Sequence, residues 1–368
     1  MTLALACLAL ACLAFVASLT VDGLRAVGTR RRRQRQEEPL ALVVAARQEV
    51  AGELLCLTLR HPAGKPLPPF AAGQHVLVHA PAGPGGGAVR RAYSLAAWAA
   101  RPAAYELAIK REPRGAMSRW LWQHLRPGDR LRVSRPRGAF TPVPGAGPLV
   151  LLAGGIGITP LRAMAQQALA KGRPVFLFQA ARSAAGLLYH GEFEARARQS
   201  AAFAYRAWVS RPAADWAGER GRLDAAQVLA ALPDPGAADF YLCAGTAFMD
   251  AMADGLTAAG IAPRRIHRES FGAAAGAGPS GTAVAVRGAD RAVLLHTAGE
   301  PTLLATLEAG GVGVEADCRA GTCGRCLVRL DAGDVTWHAQ AEFPLSPGQI
   351  LPCLCSPAGD VAVALQTA

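Results

Sequence analysis

The pattern of apolar and polar positions divides the chain into stretches of different character. From Leu40 onward, apolar residues alternate with polar ones in short runs, and turn residues such as Pro62, Gly64 and Gly128 separate them. The runs are Leu40–Ala45, Glu53–Arg60, His75–His79, Tyr105–Lys110 and Arg130–Ser134. A period of two is typical of strands with one buried face. Short strands at this spacing predict an antiparallel β-barrel.

The pattern changes after Pro148, where the apolar runs become continuous and helical stretches lie between them. The runs are Leu149–Ala153, Pro174–Gln179, Phe203–Val209 and Phe240–Cys243, with a helix expected over Leu161–Ala170. Strands that are apolar throughout and that alternate with helices are typical of a parallel sheet covered on both faces. This stretch therefore predicts an α/β nucleotide-binding domain.

The first residues carry a third pattern. Thr2–Val21 contains no charged residue, and Arg25 and the run Arg30–Arg33 follow it. About twenty apolar residues can cross a bilayer as a helix, and basic residues after it place the rest of the chain in the cytoplasm. A cleaved signal peptide is the alternative, but its basic leading region is absent. We expect a single-pass anchor in the cell inner membrane.

Composition and charge narrow the function classes. The chain has 368 residues, 51% of them hydrophobic, and a formal net charge of +12. This length exceeds one compact core and predicts several domains. Outside the short basic run near residue 30, arginines do not form a stripe with interleaved aromatic residues, so we expect no nucleic-acid binding. The boundaries expected are 1–36 for the anchor, 37–143, 144–272, a linker at 273–281, and 282–368.

Four of the nine cysteines form a metal-binding pattern. Cys318, Cys323 and Cys326 have the spacing C-x4-C-x2-C, and Cys353 follows later in the chain. This is the spacing of a plant-type [2Fe–2S] cluster, which needs four thiolates. Structural zinc usually takes two C-x2-C pairs or Cys/His pairs, and only one such pair occurs here. Cys355 competes with Cys353 for the fourth position.

With these motifs, the chain resembles the ferredoxin-NADP reductase-like flavin oxidoreductases that carry a C-terminal plant-type ferredoxin domain. This is the phthalate dioxygenase reductase, vanillate demethylase reductase and hybrid-cluster-protein reductase type. The resemblance covers about residues 39 to 368 and leaves out the expected anchor. It implies the order flavin barrel, nicotinamide domain and α+β ferredoxin domain of β-grasp fold. It also favours Cys353 as the fourth cluster ligand.

The resemblance assigns the flavin site to two segments. Arg91, Tyr93 and Ser94 match an R-x-Y-S pattern, in which the arginine pairs with a flavin phosphate, the tyrosine packs on the isoalloxazine and the serine bonds near N5. A second segment offers backbone N–H groups to a pyrophosphate at a helix N-terminus. Its residues are Gly115, Ala116, Met117 and Ser118. A pyrophosphate implies FAD, although the same groups could hold the single phosphate of FMN.

A glycine-rich turn follows the apolar run Leu149–Ala153 and precedes a helix. Such a strand, turn and helix can hold the pyrophosphate of a dinucleotide. The residues expected to bind it are Gly154, Gly155, Gly157, Thr159 and Pro160. Arg182 and Ser183 follow the next strand, where the resemblance implies the adenosine ribose. Arg182 could hold the 2′-phosphate of NADPH or be an ordinary surface residue, so NADH and NADPH both stay open.

Residues near the end of the nicotinamide domain are the candidate catalytic groups. Cys243 lies in a segment similar to the family motif C-G-P-x-x-F-M, which places the thiol near nicotinamide C4. Here Ala244 and Gly245 replace the usual Gly-Pro. The resemblance also brings Glu269 and Phe271 towards the flavin. With Ser94, we take Cys243 and Glu269 as catalytic.

Taken together, the sequence predicts an NAD(P)H-dependent reductase that passes single electrons through flavin and a [2Fe–2S] cluster to a partner protein. The anchor suggests a membrane-bound acceptor such as a fatty-acid desaturase or hydroxylase, and a ring-hydroxylating or demethylating oxygenase is the alternative acceptor. A cluster-based redox sensor with little turnover is the competing function. Cofactors supply the redox chemistry in such a protein, and its residues position them.

Overall fold

The structure of the chain is a computed structural model. It describes residues 39–50, 53–80, 89–112, 116–271, 278–288, 293–297, 300–316, 319, 321, 324–338, 341 and 343–365. The expected anchor, Gly115, Cys318, Cys323 and most of the expected linker lie outside these residues.

The first unit is a curled antiparallel sheet with the strand order β4-β3-β6-β1-β2-β5. The strands are β1 (Leu40–Val50), β2 (Leu54–Arg60), β3 (His75–Ala80), β4 (Val89–Ser94), β5 (Ala104–Lys110) and β6 (Arg130–Val133). The two ends of the sheet, β4 and β5, contact each other. Alternating leucines and valines turn inward, including Leu55, Leu57 and Leu59 of β2, which are fully buried. The barrel expected from the alternating pattern is therefore present, and helix α1 (Ala116–His124) packs against its core.

The second unit is a six-stranded parallel sheet with the order β10-β9-β8-β7-β11-β12. Its strands are β7 (Leu149–Gly154), β8 (Val175–Ala181), β9 (Phe203–Val209), β10 (Glu219–Arg220), β11 (Asp239–Cys243) and β12 (Ile266–Glu269). The helices are α2 (Ile158–Ala170), α3 (His190–Gln199), α4 (Ala225–Ala230) and α5 (Thr246–Ala258). Separate core clusters lie on the two faces of the sheet, which explains why its interior strand β7 is apolar on both faces.

The third unit is a mixed sheet with the order β14-β13-β19-β15-β17 and a small pair, β16 and β18. The strands are β13 (Thr282–Arg287), β14 (Val293–His296), β15 (Val328–Ala332), β16 (Val335–Trp337), β17 (Gln349–Ile350), β18 (Cys355–Pro357) and β19 (Val361–Leu365). Helix α6 (Leu303–Ala309) packs its leucines into the core of this sheet. A sheet with one helix across it agrees with the expected ferredoxin domain.

The barrel and the parallel sheet share a core. Leu54 and Ala108 of the barrel belong to the same buried cluster as Leu161 and Met164 of α2. The hydroxyl of the fully buried Tyr241, on β11, accepts a 2.7 Å hydrogen bond from the Val143 amide and donates to the Thr141 carbonyl. The segment that leaves the barrel is thus fastened to the central strands of the second unit.

One element of the expected fold class must be corrected, the N-terminal transmembrane helix. Within the described residues, no helix is long and apolar enough to cross a membrane. The longest, α2 and α5, have 13 residues each, whereas a membrane crossing needs about 20. The expected helix at Thr2–Val21 lies outside the described residues. The inner-membrane localisation that depended on it is untested.

Candidate functional site

Strand β4 carries the proposed flavin residues. Arg91 and Tyr93 share one face of the strand and are half-buried, whereas Ser94 is buried and pairs in register with His75 of β3. Arg91 donates a 2.8 Å hydrogen bond to the Arg90 carbonyl. Burial, and then the nearby Arg319 guanidinium, lower its pKa. A guanidinium has five N–H groups, so Arg91 keeps donors for the phosphate of a flavin.

The second flavin segment lies at the start of α1, beside β5. The Ser118 hydroxyl accepts a 3.2 Å hydrogen bond from the Glu112 amide, which joins the first turn of the helix to the end of the strand. Met117 and Ser118 are buried. The first backbone N–H groups of a helix have no partner inside it, so the start of α1 can accept a phosphate. Gly115, the other expected member of this segment, lies outside the described residues.

The glycine-rich turn joins β7 to α2 and is packed against the end of β11. Gly155 has a φ of +55°, in the left-handed region that favours glycine. A Cβ atom on Gly157 would lie 1.8 Å from the Cys243 carbonyl oxygen, and one on Gly154 would lie 2.6 Å from the Ala244 Cβ. The turn therefore depends on glycine for a close backbone approach. Thr159 is buried, and its hydroxyl donates to the Ile156 carbonyl at 3.0 Å.

A cleft of about 990 Å³ opens above this turn. Lys110 and Glu112 of the barrel border one side, and Arg182 and Ser183 lie beyond the end of β8. Both Arg182 and Ser183 are exposed. The other lining residues that bear on dinucleotide binding are Gly154, Gly155, Gly157, Arg222, Ala244, Gly245, Ser270 and Phe271. The structure thus brings the two expected ends of a dinucleotide site into one cleft, with Phe271 44% exposed at its border.

Cys243 and Glu269 end neighbouring parallel strands and pair directly in register. Cys243 is fully buried, and Glu269 is 8% exposed. Burial, and then the Glu269 carboxylate, raise the pKa of the Cys243 thiol well above its usual range. The thiol is therefore neutral at physiological pH. The backbone carbonyl of Cys243 packs closely against Gly157 of the turn, and Cys243 is not among the described residues that line the cleft.

Two of the four expected cluster ligands are described, and they lie together. The Sγ atoms of Cys326 and Cys353 are 3.4 Å apart, and both residues are buried. The Sγ of Cys355 lies 3.5 Å from the Leu351 carbonyl oxygen, and Cys355 belongs to a different cluster of buried residues from Cys326 and Cys353. Among the described residues, no three His, Cys, Asp or Glu side chains form a metal site. The other two expected ligands, Cys318 and Cys323, lie outside them.

The backbone around Cys326 is shaped to bring a loop close to a buried group. Gly321 and Gly324 have φ values of +75° and +68°. A Cβ atom on Gly321 would lie 2.2 Å from Leu354, and one on Gly324 would lie 2.3 Å from the Phe343 ring. Paired thiols under a tightly wrapped glycine loop fit a cluster that thiolates hold and backbone N–H groups surround.

Comparison with known proteins matches each of the three units to a known domain. Residues 41–141 match the oxidoreductase FAD-binding domain, residues 151–254 the oxidoreductase NAD-binding domain, and residues 291–358 the 2Fe-2S iron-sulfur cluster binding domain. Vanillate O-demethylase oxidoreductase of Pseudomonas sp. (strain HR199 / DSM 7063) is 30% identical over 80% of this chain and 89% of its own length. The chain belongs to this family of flavin and iron–sulfur reductases.

Two further known proteins are similar to the reductase over most of its length. The phenoxybenzoate dioxygenase subunit beta of Ectopseudomonas oleovorans is 34% identical over 80% of this chain and 86% of its own length. The solved structure of phthalate dioxygenase reductase superposes with a TM-score of 0.67 at 27% identity, covering 89% of this chain and 98% of that one. The reductase thus has FAD-, NAD- and [2Fe–2S]-binding domains, as the sequence predicted. It transfers electrons from NAD(P)H through these cofactors to a partner protein.

Sequence reasoning missed the residues that join the barrel of the reductase to its nicotinamide domain. The nearly buried Arg162 forms ion pairs with the partly exposed Glu106 and Glu192, and Tyr189 packs on its guanidinium. One signal was available, because Arg162 interrupts the otherwise apolar start of α2, between Leu161 and Ala163. The partners of Arg162 are distant in sequence, and the glycine-rich motif before α2 does not predict which residues they are.

Proposed function

We propose that the reductase delivers single electrons to the oxygenase component of an oxygen-inserting system. The observation that carries this is the order of three sites along one chain, ending in the buried pair Cys326 and Cys353. The relatives named above include a dioxygenase subunit, a demethylase oxidoreductase and a dioxygenase reductase. These names favour a ring-hydroxylating or demethylating oxygenase as the acceptor.

The residues of the chain bind and orient the cofactors. Bound flavin would supply an acceptor for the hydride of NAD(P)H, and a bound iron–sulfur cluster would supply transfer of single electrons. Gly155 and Gly157 let the backbone approach the dinucleotide pyrophosphate, and the start of α2 favours its negative charge. Arg91 holds the flavin phosphate, and Ser94 donates a hydrogen bond near the reacting edge of the flavin.

Cys243 and Glu269 complete the proposed site from the other side. The raised pKa keeps the thiol protonated, so Cys243 contributes a small neutral group beside the nicotinamide rather than a nucleophile. Its burial at a strand end excludes water from that side of the site. Cys326 and Cys353 supply the two described thiolate ligands of the cluster.

Steady-state electron transfer to a one-electron acceptor tests this function. Purified protein loaded with FAD and cluster should reduce cytochrome c rapidly with NADH or NADPH. Cys353→Ser should abolish this reaction while the reduction of ferricyanide, which can take electrons from the flavin, is retained. Slow turnover with both acceptors would favour the redox sensor instead.

The identity of the acceptor needs a second experiment. The reductase should support substrate turnover when it is mixed with a ring-hydroxylating or demethylating oxygenase component and NADH. The same oxygenase with Cys353→Ser reductase is the control. Absence of turnover with oxygenases of both types, despite fast cytochrome c reduction, would rule out the proposed acceptor class and leave the reductase activity standing.

A further inference from the structure

Arg162 lies on α2, three residues after Thr159 of the dinucleotide turn, and its side chain is 11% exposed. From this position it reaches into the barrel. Its Nη1 donates to the Ala96 carbonyl at 2.9 Å and to the Glu106 carboxylate at 3.0 Å. Ala96 is two residues beyond Ser94, the residue placed next to the reacting edge of the flavin. One guanidinium therefore joins the segment that follows strand β4 to the helix that begins at the dinucleotide turn.

The other side of the same guanidinium is held within the nicotinamide domain. Its Nε donates to both oxygens of Glu192 on α3, each at 2.9 Å. The Tyr189 ring lies 4.3 Å from the guanidinium carbon, and Tyr189 itself has a left-handed φ of +64° at the start of α3. A non-glycine residue keeps such a backbone conformation only where its surroundings enforce it.

The charges and the bonding geometry restrict the movement of Arg162 between Glu106 and Glu192. Burial lowers the pKa of Arg162, but the carboxylates of Glu192 and Glu106 outweigh it and raise the pKa, so the group stays charged. Planar guanidinium groups bind carboxylates in a fixed, forked geometry. One turn further along α2, the Gln166 side chain accepts a 2.7 Å hydrogen bond from the Trp98 amide, in the same barrel segment as Ala96. The contacts of Arg162 and Gln166 with the barrel lie one helical turn apart. Together they fix both the distance and the angle between α2 and the barrel.

We propose that Arg162 is a positioning residue for hydride transfer, which holds the dinucleotide helix at a fixed distance from the flavin strand. This inference rests on the proposed function. Hydride transfer moves two electrons and one proton from nicotinamide C4 to the flavin and leaves oxidised dinucleotide. The reaction depends steeply on the distance between donor and acceptor, and a misplacement of about 1 Å can cost roughly 100-fold in rate. Within the described part of the chain, the cleft lining does not include Arg162, so its effect acts through position rather than contact.

Two carboxylates around one guanidinium provide a matched pair of variants. Glu106→Gln weakens the bond across the two domains, whereas Glu192→Gln weakens a bond within the nicotinamide domain. Each variant removes one charge from a partly exposed carboxylate on the same arginine, so their effects on thermal stability should be similar. A purely structural cluster would therefore make the two variants behave alike.

The experiment follows flavin reduction in the loaded holoenzyme by anaerobic stopped-flow absorbance with NADH and with NADH deuterated at C4. We expect Arg162→Met and Glu106→Gln to lower the limiting rate about tenfold or more and to change the isotope effect, with the dissociation constant for NADH unchanged. Glu192→Gln should stay within about twofold of the wild-type rate, and Arg162→Lys should recover part of the loss.

Wild-type rates in Glu106→Gln would overturn the inference, as would an equal loss in Glu106→Gln and Glu192→Gln. If Arg162→Met does not fold, the two glutamine variants decide the question. A wild-type protein whose flavin NADH does not reduce would contradict the proposed function itself, which is a separate result.

Discussion

Two buried thiols, Cys326 and Cys353, lie 3.4 Å apart, while Cys355 contacts the Leu351 carbonyl in the core of the last sheet. Cys353 and Cys355 differ by two positions in sequence, but their side chains belong to different clusters of buried residues. The geometry favours Cys353 as the ligand and leaves Cys355 as a small core residue.

Serine at each of these positions separates the two roles. We expect Cys353→Ser to lose the visible absorbance and most of the iron and sulfide of the cluster, because a hydroxyl is a poor ligand for it. Cys355→Ser should keep the cluster and lose about 1–3 kcal/mol of stability, because it buries a hydroxyl in an apolar site. The reverse pattern of iron content would assign the ligand to Cys355.

The Cys243 thiol has a pKa raised well above its ordinary value by burial and by Glu269. Its neutral form therefore persists in the folded protein across the range in which an ordinary thiol, with a pKa near 8.5, would ionise. We expect Cys243→Ala to lower the rate of flavin reduction without changing the shape of its pH profile between about pH 6 and 9. A wild-type profile with an inflection near pH 8.5 that disappears in Cys243→Ala would show that the thiol ionises.

At the scale of single residues, the sequence was informative where chemistry demands a fixed local spacing. The C-x4-C-x2-C spacing and the glycine-rich turn are of this kind, because residues close together in the chain form most of each expected site. Arg162, Glu106 and Glu192 are different, since three separate elements bring them together. No periodicity in one segment encodes which carboxylates an interior arginine will meet.

The close crossing of β7, α2 and β11 is the element that shapes the dinucleotide cleft. Gly157 occupies the crossing, where a methyl group would overlap the Cys243 carbonyl at 1.8 Å. The atoms nearest to such a methyl group all belong to the backbone, so no flexible side chain could move to make room for it. The turn between β7 and α2 can therefore keep its shape only with glycine at this position.

Gly157→Ala should consequently weaken NADH binding by about tenfold or more and lower the melting temperature, measured by flavin reduction at varied NADH and by calorimetry. Gly191→Ala on α3 is the matched control, because nothing lies within 4 Å of an added Cβ there. A helical alanine should leave binding unchanged and be neutral or stabilising by up to about 1 kcal/mol. Equal effects of the two changes would refute the role of the close crossing.

At this scale, apolar periodicity predicted most strands of the barrel and of the parallel sheet to within a few residues. Strand β4 follows no such period, because Arg90 and Arg91 interrupt its apolar positions, although Tyr93 packs against the barrel core. The short strand β10 was also not predicted, because its residues Glu219 and Arg220 are both exposed. Elements that bury little apolar surface have no apolar periodicity in their sequence from which they could be predicted.

At the scale of the whole molecule, contacts that cross between the barrel and the parallel sheet hold these two units together. The Tyr241 hydroxyl joins the end of the barrel segment to β11 through Val143 and Thr141, and its ring stacks on His267 at 4.5 Å. The expected membrane helix, by contrast, was wrong for the described fold. It was inferred from the uncharged apolar run Thr2–Val21 and the arginines after it, whereas no helix of the described residues is long and apolar enough to cross a membrane.

Tyr241→Phe tests the joint between the barrel and the nicotinamide domain. Removing the hydroxyl leaves the Val143 amide without its 2.7 Å acceptor, which should cost about 1–3 kcal/mol of unfolding free energy. Urea unfolding followed by tryptophan fluorescence measures this loss. Unchanged stability would mean that water replaces the hydroxyl and that the joint does not depend on it.

The central claim is that electrons pass from NAD(P)H through the flavin to the cluster held by Cys326 and Cys353. Anaerobic titration with NADH, followed by visible absorbance and electron paramagnetic resonance, tests it most directly. We expect the flavin absorbance to bleach and the signal of a reduced [2Fe–2S] cluster to appear, with the signal absent in Cys353→Ser. A bleached flavin beside a cluster that stays oxidised would contradict the claim.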